Sequence, residues 1–196
     1  MKKLFLALTL AAMAAANTAY ADTDAQPADS AANTTTAAVT AKPASNLFWG
    51  LGVASIAPPL TGFGSVYAVG WGGSANIGFT LDKNWALLAM LDGYSFATNA
   101  IGYSSTEFTL TPDVKYSFDA KGFTPYLFAG AGLNDNISNA PSGSVSTVSF
   151  AYNGGAGVAF NLGAGLDLQI QAEYESAVTA NGSFSYLPLT AGVEFN

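Results

Sequence analysis

The sequence predicts an all-β chain folded as an eight-stranded antiparallel up-and-down transmembrane β-barrel. Three observations point there. Half of the residues are hydrophobic and only 10% are charged, against roughly 25% charged in soluble domains. Beyond the N-terminus, however, no run of about 18 apolar residues exists from which a membrane helix could be made. Alternation reconciles the two. In Leu166–Tyr174 the residues Leu166, Leu168, Ile170, Ala172 and Tyr174 interleave with Asp167, Gln169, Gln171 and Glu173, and successive strand side chains point to opposite faces. Finally, the connections between such segments alternate in length, as in barrels with short periplasmic turns and longer outer loops.

The chain opens with Lys2 and Lys3, the apolar run Leu4–Ala16 and the A-x-A site Ala19-Tyr20-Ala21. This is the layout of a secretory signal peptide over residues 1–21, with cleavage after Ala21. Residues 22–45 are Ala, Thr, Ser, Asp and Pro without an aromatic residue. Such a segment cannot bury enough apolar surface to offset its ordering entropy, so a disordered periplasmic tail is expected.

From Asn46 to Asn196 eight alternating segments follow: Leu47–Ile56, Val66–Thr80, Trp85–Phe96, Glu107–Phe118, Phe123–Leu133, Thr147–Phe160, Leu166–Tyr174 and Phe184–Phe195. Pro58, Pro59 and Gly62 break the chain after the first, and Asp82–Asn84 turns it after the second. The third alternates imperfectly, because Leu88 and Met90 share a face with Asp92. In the fourth, Pro112 removes a ladder donor and predicts a bulge or local widening. Four loops are expected: Ile56–Ser65, Ala97–Thr106, Asn134–Ser146 and Thr179–Gly182.

Threading these strands alternately up and down sorts the aromatic residues of the apolar face into two belts. Trp49, Phe79, Trp85, Tyr116, Phe118, Phe160 and Phe195 fall toward the periplasmic end. Tyr67, Phe108, Phe150, Tyr152 and Tyr174 fall toward the outer end. Amphipathic rings gather at both membrane interfaces in this way. The same threading points Asp92, Glu107, Glu173 and Glu175 into the outer half of the lumen, and Asp113, Lys115, Asp167 and Glu194 into its inner half, with Gln169 and Gln171 between. A one-residue slip of Leu166–Tyr174 would turn Asp167 and Glu173 toward lipid, at a cost of up to a few kcal/mol each.

Pro125–Leu133 (PYLFAGAGL) and Gly155–Tyr174 (GAGVAFNLGAGLDLQIQAEY) resemble the small outer-membrane β-barrel proteins: the OmpX-like and OmpW-like proteins and the transmembrane domain of OmpA. The resemblance covers roughly residues 46–196 and rests on Gly/aromatic patterns that mark a fold and no activity. It implies contact with outer-membrane lipid and lipopolysaccharide, and with the barrel-assembly machinery. The chain departs from the family in ending on Asn196 after Phe195, where the family ends on an aromatic residue.

The chemistry on offer is narrow. The chain has no His and no Cys, which removes Ser-His-Asp hydrolysis, Cys nucleophiles, His-based metal sites, disulfides and a lipid-anchored Cys. A net charge of −7 argues against nucleic acid. No enzyme activity, cofactor or metal is expected. Asn134, Asp135 and Asn136 hint at a calcium loop, but the EF-hand spacing and its closing Glu are missing, so a solvated loop is expected. The lumen, with seven carboxylates and one Lys by this facing, has two readings. One is a polar plug, as in most barrels of this size; the other is a hydrated, cation-preferring passage in the room left by Gly50, Gly52, Gly70, Gly72, Gly155 and Gly157. The plug is preferred, and with it a structural or surface-interactive role through loops that contact an extracellular ligand. The alternatives are a narrow cation pore, OmpW-like transport of small apolar molecules, or a soluble periplasmic binding barrel.

Overall fold

A strand in lipid has no water to satisfy its backbone, so each must pair along both edges and the sheet must close on itself. A computed structural model of the chain, which describes residues 46–60, 66–98, 101–179 and 182–196, has this closure. The strands are β1 (Leu47–Ala57), β2 (Gly70–Thr80), β3 (Trp85–Ala97), β4 (Ser104–Ser117), β5 (Thr124–Ala140), β6 (Gly143–Gly163), β7 (Leu166–Thr179), β8 (Gly182–Tyr186) and β9 (Leu189–Phe195). Each pairs antiparallel with its neighbours, β6 also pairs with β7, and β9 returns to β1, so that eight staves form a closed ring. The expected signal peptide with Ala19 and Ala21, and the tail 22–45, lie outside the described residues.

The last stave is split. β7 pairs with β9 from Leu166↔Phe195 to Ala172↔Leu189 and with β8 from Glu175↔Tyr186 to Thr179↔Gly182. Between them Pro188 has no N–H to give, but its carbonyl accepts the Glu173 amide at 2.9 Å, while the Leu187 amide turns to the Pro58 carbonyl at 3.0 Å. A proline thus marks the point where the wall changes partner.

The outward face is apolar. Ile77, Leu87, Leu110, Val114, Leu127 and Ile170 are 41–51% exposed, a belt far larger than the patches a soluble monomer presents to water. Among the described strand residues Asp135 is the one charged side chain facing outward, and it sits high, opposite Phe108 and Val148. Between Leu166 and Tyr174 a strand tilted by about 40° climbs roughly 20 Å, close to the height of a lipid-facing band.

Most expected belt residues face outward. At the end carrying the C-terminus Trp49 stacks on Phe195 at 4.2 Å, Trp85 meets Tyr116 at 4.7 Å, Tyr116 meets Phe118 at 4.8 Å, and Phe123 lies 6.3 Å from Phe160. Phe79 on the outer face is 46% exposed. At the opposite end Phe150, Tyr152 and Tyr174 line up at 6.5 and 6.2 Å, with Phe108 38% exposed. Tyr67 departs from the expectation. β2 begins only at Gly70, and Tyr67 leaves the ladder to bridge Thr98. Its ring packs inward on Phe184 and Phe96 at 5.6 and 6.4 Å. Strand parity therefore no longer governs where it points.

Two other expectations are corrected. The segment expected as a loop over Asn134–Ser146 is strand. β5 and β6, of 17 and 21 residues, run as one hairpin to the two-residue tip Pro141-Ser142. Its Asn and Ser residues pair across the ladder (Asn139 with Ser144, Asp135 with Ser146 at 2.6 Å), so polar composition concealed a hairpin held by side-chain bonds. β1 carries a bulge after Gly52, shifting register against both β2 and β9. Beyond it Ser55 and Ala57 point inward and Ile56 outward, reversing the simple alternation. At Pro112 the expected local widening is present without a bulge: β4 keeps its register with β3 and β5, and the rungs between Leu110 and Asp113 open on the β5 side.

The β2–β3 turn supplies a pH prediction. The Asp82 carboxylate accepts the amides of Asn84 and Trp85 at 2.8 and 2.9 Å, which holds its carboxyl below the ordinary range. A depressed folded-state value adds stability that is present above the unfolded value and lost as pH falls through the folded one. Acidification below about pH 4 is therefore expected to loosen this turn. Hydrogen exchange at Trp85 should accelerate there in the native chain, and should be fast at every pH in Asp82→Ala.

Candidate functional site in the barrel interior

The inward residues of the eight staves form stacked layers, each set by which strands bring large or polar side chains to the same height. At the end carrying the C-terminus Phe48, Ala86, Leu88, Met90, Tyr126, Phe128 and Ala159 make a buried apolar cluster. Leu88 and Met90, the residues that spoil the alternation of β3, are part of it. Lys115 crosses this layer. Its ammonium lies 4.5 Å from the Tyr126 ring centroid and 5.2 Å from that of Phe48, and donates to Glu194 at 2.9 Å. Gln169 donates to the same Glu194 oxygen at 2.7 Å, and Tyr126 donates its hydroxyl to Gln171 at 3.0 Å. Below, a vestibule of about 190 Å³ opens to this end and is bounded inward by Phe48, Lys115, Tyr126 and Glu194. Asp167 sits at the rim, where it accepts the Asn161 and Asn196 side-chain amides, each at 2.8 Å.

The middle layer is acidic. Asp92, Asp113, Glu173 and Glu175 are each at most 2% exposed. Asn153 donates to Asp113 and Glu173, both at 2.9 Å, so Asp113 belongs with this group and not with Lys115 in the inner half. Glu175 accepts the Thr109 hydroxyl, and Asn134 donates to Thr109 at 2.9 Å. One carboxylate oxygen each from Asp92, Glu173 and Glu175 lies within 4.8 Å of the others. Higher up, Glu107 accepts from Asn136 and from Ser105, the latter at 3.0 Å.

The hairpin end is capped by rings. Ala57, Tyr94, Phe96, Phe184 and Tyr186 form a second buried cluster with Tyr67 packed against it. Phe96 lies 5.2 Å from both Phe184 and Tyr186.

Glycine spacing carries a correction of its own. The lumen glycines do leave room, but side chains occupy it. A Cβ at Gly70 would strike Phe96, at Gly155 Phe128 and at Gly157 Tyr126, while Asn76 covers Gly50, and Ser74 and Thr190 cover Gly52; at Gly72 it would meet the Gly93 carbonyl first and then Tyr94. Near the last two the interior retains a void of about 10 Å³, room for about one water. Gly78, pressed by the Phe48 ring, tests this packing. Gly78→Val is expected to cost about 1–3 kcal/mol by overpacking, read as a lower midpoint in urea unfolding.

The interior rings Tyr94, Phe96, Phe184 and Tyr186 are not among the expected site residues. Tyr94 and Phe96 share the parity of Asp92, so period two alone places them inside. The Asn134–Asn136 triplet is also resolved. Asn134 and Asn136 point inward to Thr109, Ser105 and Glu107, and Asp135 points outward to Ser146. Neighbours on a strand face opposite sides, so the three cannot ligate one ion.

No protein-family model and no curated protein matches the chain. Among solved structures it is similar to Neisserial surface protein A, with a TM-score of 0.65 at 18% identity over 77% of this chain and 97% of that one. It is also similar to the N-terminal β-barrel domain of Pseudomonas aeruginosa OprF, with a TM-score of 0.51 at 18% identity over 76% of this chain and 98% of that one. Closed ring, apolar belt and these likenesses agree: the chain has the fold of the small eight-stranded outer-membrane β-barrels.

Proposed function

We propose that this chain is a non-enzymatic outer-membrane barrel with a structural and surface-interactive role, its tall β5–β6 hairpin serving as the extracellular contact element. The observation that carries this reading is the filled lumen. Aromatic and apolar side chains lie over the glycines at both ends, and a hydrogen-bonded acidic layer lies between them. A filled barrel leaves little for a solute to pass through and no cleft in which acid–base chemistry finds a substrate. What it does present outside the lipid belt is relief. β6 pairs with β7 only as far as Phe150↔Val178 but with β5 as far as Ala140↔Gly143, so above Phe150 the hairpin keeps β4 on its β5 side, up to Ser104↔Asn139, and presents a bare β6 edge with Val145 66% exposed. On this reading the ligand is extracellular, and lipid, lipopolysaccharide and the assembly machinery are the partners of the barrel wall.

Single-channel recording of the refolded full chain in planar bilayers tests the closed lumen, and silence is expected. Reproducible cation-selective steps would overturn it in favour of a narrow pathway past the carboxylates. Cells displaying the chain with residues 137–146 replaced by a short turn are expected to lose adhesion to matrix proteins while the barrel remains heat-modifiable. Unchanged adhesion would remove the hairpin from the role.

A further inference from the structure

We propose that Asp92, Glu173 and Glu175 form a buried binding site for one calcium-sized divalent cation on the barrel axis. β3 and β7 are diametrically opposite staves of the ring, so Asp92 reaches across the lumen to meet the two glutamates of β7. One carboxylate oxygen from each of the three lies within 4.8 Å of the others. Calcium, binding oxygen at about 2.3–2.6 Å, takes sets made largely of protein carboxylates, whereas magnesium keeps several waters and uses one or two carboxylates, so three buried carboxylates converging from opposite walls fit calcium.

The side chains around the site are arranged to leave ligand atoms over. Asn153 engages one oxygen of Glu173 and Thr109 one oxygen of Glu175. The second oxygen of Glu173 and Oδ1 of Asp92 are buried without a hydrogen-bond partner, while the second oxygen of Glu175 has only the Tyr186 hydroxyl beside it. Asp92, only 1% exposed, comes from the opposite wall, places one carboxylate oxygen within 4.8 Å of the glutamate oxygens and carries the unpartnered Oδ1. Asp113 adds a further carboxylate beside Glu173 through Asn153. Buried acids of one sign need a counter-charge, and among the described residues the one buried ammonium, Lys115, is engaged by Glu194 in another layer. Hard oxygen donors, no nitrogen or sulfur and several negative charges make up a calcium-type ligand set. The expectation of no metal rested on the absence of His and Cys and on one unsuitable Asn/Asp triplet; the site proposed here uses neither.

The test is calcium retention by the full chain, refolded with millimolar calcium, passed through a chelating resin and assayed by elemental analysis. Wild-type protein is expected to keep about one calcium per chain, and Glu173→Gln/Glu175→Gln to keep none above the background set by exposed acids. Asp92→Asn, which removes one charge and no volume, is the second variant should the double one fail to fold. Its retained calcium is expected to fall at least tenfold. The thermal midpoint of the wild type should be higher by about 5 °C or more when refolded in calcium than in EDTA, with no such difference in Asp92→Asn. Calcium retention that is equal in wild type and Asp92→Asn, or absent from the wild type, overturns the site and leaves the cluster as carboxylic acids sharing protons. Magnesium retained in preference to calcium overturns the assignment to calcium.

Discussion

Lys115→Met is expected to destabilise the folded barrel by about 3–5 kcal/mol, the penalty for stranding one member of a buried ion pair. Both partners are shielded, with side-chain exposures of 9% for Lys115 and 8% for Glu194, so solvent does little to relieve the carboxylate left behind. The ammonium also sits against two rings, at 4.5 and 5.2 Å from their centroids, contacts that strengthen once water is excluded. Equilibrium unfolding in urea, followed by the gel shift between folded and unfolded forms, reads the effect. The control is the double variant Lys115→Met/Glu194→Leu. Replacing a buried pair by apolar groups is often neutral or stabilising, so it should recover most of the loss although it removes more polar groups. A single variant within about 1 kcal/mol of wild type would mean that the pair is hydrated and that the apolar layer around it is no seal.

The second large effect concerns lipid. Ile170, 51% exposed at the middle of β7, faces outward between Leu168 and Ala172. Ile170→Arg is expected to cost about 2–4 kcal/mol in vesicles, the penalty for a cationic side chain at the bilayer midplane. Val148, 58% exposed, stands level with Asp135 on the outer face, and Val148→Arg should cost only about 0–1 kcal/mol because near the interface the guanidinium reaches water. The contrast separates a lipid belt from ordinary surface. In a soluble β-sheet protein both positions would be wet and both substitutions nearly silent, so equal costs at the two sites would refute the membrane-spanning reading.

The strands themselves were legible, and for a simple reason. Period two is local, and it places Leu166, Leu168 and Ile170 on one face and Gln169 and Glu173 on the other with no knowledge of partners. β3 followed the same parity, and its two apparent faults, Leu88 and Met90, are interior residues of an apolar layer. Legibility failed where the backbone departs from period two or leaves the wall. The β1 bulge inserts one residue and reverses the facing of Ser55 and Ile56. Tyr67 quits the ladder before Gly70 and closes the mouth from within. In the β5–β6 hairpin Asn, Ser and Gly read as loop, yet cross-strand bonds between Asn139 and Ser144 and between Asp135 and Ser146 hold them in register. Local propensity is weak there, and the pairing decides.

By itself the sequence determined that this chain is a closed apolar-out barrel, because alternation and the scarcity of charge leave no other way to satisfy backbone and lipid together. It also determined that acids outnumber bases inside. Only the tertiary structure decided what fills the lumen. Whether a glycine leaves an opening or a bed for an aromatic ring depends on the residue at the same height on the next strand, as at Gly155 beneath Phe128 and Gly157 beneath Tyr126. Whether Asp92 meets Glu173 and Glu175 depends on the ring bringing opposite walls together. Such contacts are set by shear and closure, which join residues far apart along the chain and leave no trace in any local pattern.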